Sequence, residues 1–345
     1  MALASAALFG ASTPLAKLLL GQGVGPWLLA GLLYLGSGTG LTSVQLARRV
    51  CGVPAAEAPL RSADLPWLIL VVVAGGAIGP VLLMIGLSMT SASSSALLLN
   101  VEGLATMAIA WVVFREYVDR RLLLGAAAIL VGAATLSWRG GPAGIGAGAL
   151  AIVGACLAWG VDNNLTRKLS AADPVEIAAI KGLVAGAVNL ALALGPAGAT
   201  LPSAATVAAA AVVGFFGYGV SLALFVLALR HLGAARTGAY FSTAPFIGAA
   251  LSLALLREPL TPQLGVAAVL MGVGVWLHLT EQHAHEHTHE AGEHEHRHVH
   301  DAHHQHAHGP RDPPGEPHTH RHGHAPLTHA HPHYPDLHHR HGHAR

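Results

Sequence analysis

Charge is scarce in this chain. Only 11% of its 345 residues are Asp, Glu, Lys or Arg, where soluble domains carry about 25%, so a water-facing surface for a fold of this size cannot be covered. Cysteine is nearly missing as well. Cys51 falls in a predicted loop and Cys156 inside a predicted span, which leaves neither a disulfide framework nor a zinc spacing. There is no Walker-type phosphate loop, and that argues against ATP hydrolysis. No nucleophile paired with a base and no metal triad stands out, so the chain is not read as an enzyme, and nothing in it asks for a nucleic-acid partner.

What is present is apolar length. Hydrophobic residues make up 52% of the chain and the mean hydropathy is +0.51, although the last sixty or so residues are polar. A spanning helix needs about 20 mostly apolar residues, and such stretches follow one another from Met1 to Thr280. Helices are predicted at roughly 2–20, 26–47, 65–88, 91–114 and 121–138, then at roughly 147–169, 174–195, 203–229, 234–256 and 263–280. One such run reads equally well as a buried soluble helix; ten in succession do not. The first run lacks a basic leader and is interrupted by Pro14 and Lys17, so it is expected to stay as a helix and not to be a cleaved signal.

The charges that do occur are unevenly placed. With the amino terminus inside, alternate loops hold Arg48, Arg49, Arg61, Arg115, Arg120, Arg121, Arg167, Lys168, Arg230 and Arg236, while the opposite loops hold only Arg139 and Arg257. Basic residues accumulate in short cytoplasmic loops. The expectation is a multi-pass protein of the cell membrane with both termini in the cytoplasm and the lipid bilayer as its surroundings.

The two halves resemble each other. "WVVFREYVDRRLLLGAAAILVG" ends the first and "SLALLREPLTPQLGVAAVLMG" ends the second, aligning Arg115-Glu116 with Arg257-Glu258 and, after a two-residue gap, Gly125 and Gly132 with Gly265 and Gly272. More weakly, Phe9-Gly10 faces Trp159-Gly160, and Lys17 faces Arg167. Five helices per half is odd, so the halves must be inverted in the membrane, an architecture common among secondary transporters, with the binding site between repeats near the midplane.

These segments carry a family resemblance. "TSASSSALLLNVEGLATMAIAWVVFRE" looks like the fourth helix of the EamA proteins of the drug/metabolite transporter superfamily, "RTGAYFSTAPFIGAALSLALLRE" like the ninth, and "LFGASTPLAKLLL" like the first. The resemblance covers Met1 to about Thr280 and implies an all-α integral membrane fold of ten transmembrane helices in two inverted five-helix repeats. Residues 1–140 would form the first repeat and 141–280 the second. It further implies a cavity lined mainly by helices 1, 3, 4, 6, 8 and 9, and export of small metabolites. The family's Glu-Pro pair in helix 4 is divided here, with Glu102-Gly103 keeping the acid and Ala244-Pro245 the proline.

Ionisable groups inside a bilayer cost roughly 2.5–3.5 kcal/mol at a helix centre, so they should face protein or water. Glu102 lies near the middle of helix 4, with Ser95 and Thr106 on its face by helical spacing. Burial works against the charged form of a carboxylate, which suits Glu102 to binding a cationic group or carrying a proton; the alternative is a glutamate hydrogen-bonded between helices. Asp162, Asn163 and Asn164 form a polar run in helix 6, at the predicted depth of Lys181 on helix 7, and an Asp162–Lys181 pair would lower the cost of both charges. Lys17, one turn from Thr13, is weighed equally as an interfacial snorkelling group and a cavity residue. Asn100 shares a face with Gly103, and Tyr240 with Arg236 and Thr243; Tyr240 either meets the substrate or packs. The spacings Gly36/Gly40, Gly75/Gly79 and Gly182/Gly186 permit close helix contact.

From Gln282 the composition changes. This tail holds 23 of the 25 histidines and almost no large apolar residue, so residues 281–345 are expected to be disordered. Its first stretch sets His285, His287, His289, His294, His296, His298, His300, His303 and His304 among carboxylates. Neutral imidazoles suit zinc, nickel, cobalt or copper, while protonation near pH 6.5 would make the tail cationic instead. No cofactor is required.

The leading expectation is a secondary transporter exporting an amino-acid-like or other small-molecule substrate past Glu102. Its rivals are a transition-metal exporter fed by the tail and a metal-responsive membrane sensor. A second copy of the chain is a further candidate partner.

Overall fold

The computed structural model describes residues 1–52, 60, 62–114, 118–138, 145–166, 169, 173–225, 227–228, 237 and 240–280, and the backbone of 284–289, 292–298, 318–324 and 327–332. Arg61, Arg115, Glu116, Arg139, Arg167, Lys168, Arg230 and Arg236 lie outside the described residues, as do His300, His303 and His304.

Before the tail the described chain is helical: α1 (Ala2–Gly21), α2 (Pro26–Val50), α3 (Leu65–Met89), α4 (Ala92–Val113), α5 (Arg120–Ser137), α6 (Ala147–Thr166), α7 (Pro174–Leu194), α8 (Ala204–Phe225), α9 (Ala244–Leu256) and α10 (Pro262–Leu279). Their starts follow capping chemistry. Ser91, Asp119, Asp173, Ser203 and Thr261 each accept a backbone N–H of the first turn of the helix they precede, and proline opens α2, α7 and α10, where a missing N–H costs nothing.

All but α6 and α9 are long and apolar enough to cross a membrane, which makes eight among the described residues. The two that fall short do so for visible reasons: α6 has 20 residues but carries Asp162-Asn163-Asn164, and α9 has only 13. The chain is a multi-pass membrane protein. Leu28, Leu29, Leu33, Leu83, Met84, Leu97 and Ile152 fill the interior, while Val112, Leu124, Val269 and Trp276 stay exposed on the outer surface, where acyl chains replace water.

Two helices depart from α geometry at corresponding places. α3 runs as a π-helix over Val72–Ile78 and α8 over Phe215–Val220. A π turn loosens the regular ladder, and in α3 side chains from elsewhere take the carbonyls: Tyr34 Oη and Trp159 Nε1 both donate to Gly75 O at 3.0 Å, and Asn189 Nδ2 donates to Gly76 O and Ala77 O. α4 was expected to be continuous but is broken at Leu99-Asn100 into Ala92–Leu98 and Val101–Phe114. The cause is Asn100, whose own N–H and Nδ2 both turn back on Leu97 O. Ser95 therefore belongs to the first piece, its hydroxyl on Ser91 O, and is not in a stripe with Glu102. α9 is preceded by a similar turn, where the Thr243 amide and hydroxyl both donate to Tyr240 O.

Glycines set the helix spacing. A Cβ on Gly182 would stand 2.6 Å from the Gly38 nitrogen, so α2 and α7 meet backbone to backbone. Gly182→Val should cost about 1–3 kcal/mol by overpacking, read as a lower thermal midpoint of the detergent-solubilised protein.

The tail differs from expectation. β1 (Ala284–His289) pairs antiparallel with β4 (Leu327–Pro332), and β2 (Gly292–His298) with β3 (His318–His324). Composition argues against a buried core, but the His-x-His alternation has the period of a strand, and backbone pairing needs no core.

Candidate functional site

The break in α4 places Glu102 in the first turn of the Val101–Phe114 piece. Across from it, α6 comes close because Gly160 has no side chain; a Cβ there would lie 2.8 Å from Ala105 Cβ. That approach brings the polar run of α6 onto α4. Asn163 Nδ2 donates to Glu102 Oε1 at 3.1 Å and to Thr106 Oγ1 at 3.2 Å. Asn164 Nδ2 donates to Thr106 O at 3.0 Å and Gly160 O at 2.8 Å, while its buried Oδ1 has no partner among the described residues. Beside this bridge Gly103 is exposed and a Cβ on it would meet nothing within 4 Å, so the two amides and the carboxylate border open space.

Asp162 points elsewhere. Successive residues are turned by about 100° on a helix, so Asp162 faces α3 and α7 while Asn163 faces α4. It forms a buried ion pair with Lys181 and accepts from Thr166 Oγ1 at 3.2 Å. Gly75, within the π segment, leaves the room its carboxylate occupies. Lys181 is thereby committed to Asp162 and does not neutralise Glu102.

The other sequence candidates are distributed around this centre. Asn100 is buried at the α4 break, its Nδ2 also 3.9 Å from Met271 Sδ. Thr13 is buried on α1. Lys17 neither lies free at the interface nor joins Glu102: its ammonium is held by Leu87 O and Thr90 O at the end of α3. Tyr240 is 42% exposed. Next to it Phe241 stacks with Phe225 and Phe9, and Phe9 leads through Tyr218 to Tyr34, a chain of rings with centroids 4.8–5.9 Å apart. Residue-type reasoning missed the role of Asn164, the convergence of Tyr34 and Trp159 on Gly75 O, and Glu258, whose carboxylate accepts the Ala92 and Ser93 amides. The alignment of Glu258 with Glu116 was the one available signal for the last.

No group of three or more His, Cys, Asp or Glu able to hold a metal occurs among the described residues that were described with side chains. In the tail the backbone register sets His285 opposite His331, His287 opposite His329, His294 opposite His322, His296 opposite His320 and His298 opposite His318; His289 faces Leu327.

A buried carboxylate bridged by an amide beside open space, on a helix broken at mid-length, is the kind of site a membrane carrier uses. The chain belongs to the EamA-like transporter family, whose model matches residues 1–138 and again 146–280. It is similar to an uncharacterized transporter of Methanothermobacter thermautotrophicus, 30% identical over 227 residues, which is 64% of this chain and 66% of that protein, just under two thirds. A solved crystal structure shares the fold at a TM-score of 0.55 and 20% identity, covering 80% of this chain and 95% of its own.

Proposed function

We propose that the protein is a secondary transporter of the cell membrane that exports small organic metabolites, amino-acid-like in size and polarity, by alternating access. The observation that carries this is the bridge from Asn163 to Glu102 and Thr106 beside the open space at Gly103. Glu102 keeps a second carboxylate oxygen for a substrate ammonium or a coupling proton, and no described cation neutralises it. Ten helices in two inverted repeats, with both termini cytoplasmic, is the arrangement we adopt. The recurrence of a π segment in α3 and α8 supports it, as does the matched approach of Gly75 to Asp162 and Gly217 to Ser12.

The test is uptake into proteoliposomes from a metabolite mixture, with divalent metals included, using the full chain and a chain ended at Thr280. Saturable metabolite uptake by both forms is expected. Uptake of metal alone, lost on truncation, would replace this reading with a metal exporter.

The tail is assigned a regulatory or buffering role toward zinc, nickel, cobalt or copper. Facing histidines on paired strands bring imidazole-bearing positions within about 5.5 Å of one another at Cα level, a spacing one ion can bridge. Isothermal titration of the full chain with zinc or nickel at pH 7.5 should show binding that disappears at pH 5, where imidazoles are protonated, and disappears on truncation at Thr280.

A further inference from the structure

At one end of the bundle, contacts between distant segments converge on a single turn. Lys17, in the last turns of α1, donates from Nζ to Leu87 O at 2.6 Å and to Thr90 O at 2.8 Å. These carbonyls close α3, where a helix end leaves acceptors open and favours a cation. Glu258, two residues after α9, accepts Ala92 N at 2.7 Å on Oε1 and Ser93 N at 2.9 Å on Oε2. Those amides open α4, where a helix favours an anion. The Thr90-Ser91 turn is therefore held by a cation from the first half of the chain and an anion from the second.

Two details set these contacts apart from ordinary capping. Ser91 already caps α4, accepting from Ser94 N at 3.3 Å, so α4 does not need Glu258 to begin. Glu258 reaches back only because Arg257 takes a left-handed conformation at φ 51°, an unfavourable state for a residue with a Cβ. Both charged groups are half-buried, unlike Asp162. They can exchange their backbone partners for water without leaving a charge stranded in the apolar interior.

We propose that Lys17 and Glu258 form a latch that holds this end of the bundle closed, and that it releases when the region around Glu102 opens toward that end. This rests on the transporter reading. Alternating access needs closing contacts that are few, polar and made between elements that separate; the latch joins α1 and the α9 terminus to the α3–α4 turn by four hydrogen bonds. Thr13, one turn deeper on α1 than Lys17 and 4% exposed, lies beneath it.

The test places a cysteine at that position, Thr13→Cys, in a Cys51→Ser background that leaves Cys156 buried. Labelling by a charged, membrane-impermeant thiol reagent is measured in right-side-out and inside-out vesicles without substrate. Lys17→Gln and Glu258→Gln should each raise labelling from the Lys17 face about 10-fold and lower it from the opposite face, the response to losing charge-assisted contacts of one state. An equal rise from both faces would mean a loosened fold and would overturn the latch, as would no change. Failure of both variants to fold would make the contacts a folding element and overturn it too. Metabolite uptake by the unmodified chain is scored separately, so a failed latch and a failed transporter reading give different results.

Discussion

Glu102→Gln should reduce metabolite uptake about 10- to 100-fold, because one charge-assisted hydrogen bond contributes about 1.5–3 kcal/mol, while the protein still purifies as a single folded species. The substitution is nearly isosteric and can keep one bond to Asn163, so packing between α4 and α6 is preserved and the loss falls on the ligand. Asn163→Ala should cost less, about 2- to 10-fold, since it removes a neutral donor. Initial rates in proteoliposomes decide the matter. Unchanged uptake with Glu102→Gln would move the binding region away from the α4 break altogether.

Asp162→Asn should have its largest effect on stability. Removing one member of a buried ion pair costs about 3–5 kcal/mol, because the remaining charge is left without a partner; here Lys181 would be stranded against the π segment of α3. Lys181→Met leaves Asp162 in the same position. The double change Asp162→Asn with Lys181→Met should regain much of the loss, since no uncompensated charge remains. Thermal midpoints of the four proteins in one detergent test this. If the double variant regains its fold but not its transport, Asp162 also contributes to substrate handling.

Much of the membrane part was legible because lipid imposes a simple requirement. Backbone groups must be satisfied within each segment, so hydropathy alone marked the runs that became α1 to α10, with ends displaced by a few residues. The Asp162–Lys181 pair was legible for a related reason: two lone charges at one depth have few alternatives to each other. What stayed hidden depends on third dimensions of packing. The break at Leu99-Asn100 has no glycine or proline beside it, and it arises from an asparagine folding back on its own carbonyl. The π segments leave no trace in a hydropathy pattern. Lys17 was weighed between solvent and cavity, and found a third answer in the carbonyls of a neighbouring helix, which no sequence spacing encodes. In the tail, low apolar content argued against order, while the two-residue period that permits strand pairing was visible but given no weight.

The π segment of α3 sets a rule for insertions and deletions. A π turn holds one residue more than the α turn it replaces, so deleting any single residue between Val72 and Ile78 lets the helix close its ladder while rotating everything after it by about 100°. Gly79–Met89 would then present a different side to α1 and α6, and Leu87 O would turn away from Lys17. Substitutions in this stretch act on single contacts, whereas a one-codon deletion would dephase half a helix, so chain length should be more tightly held here than the identity of most side chains.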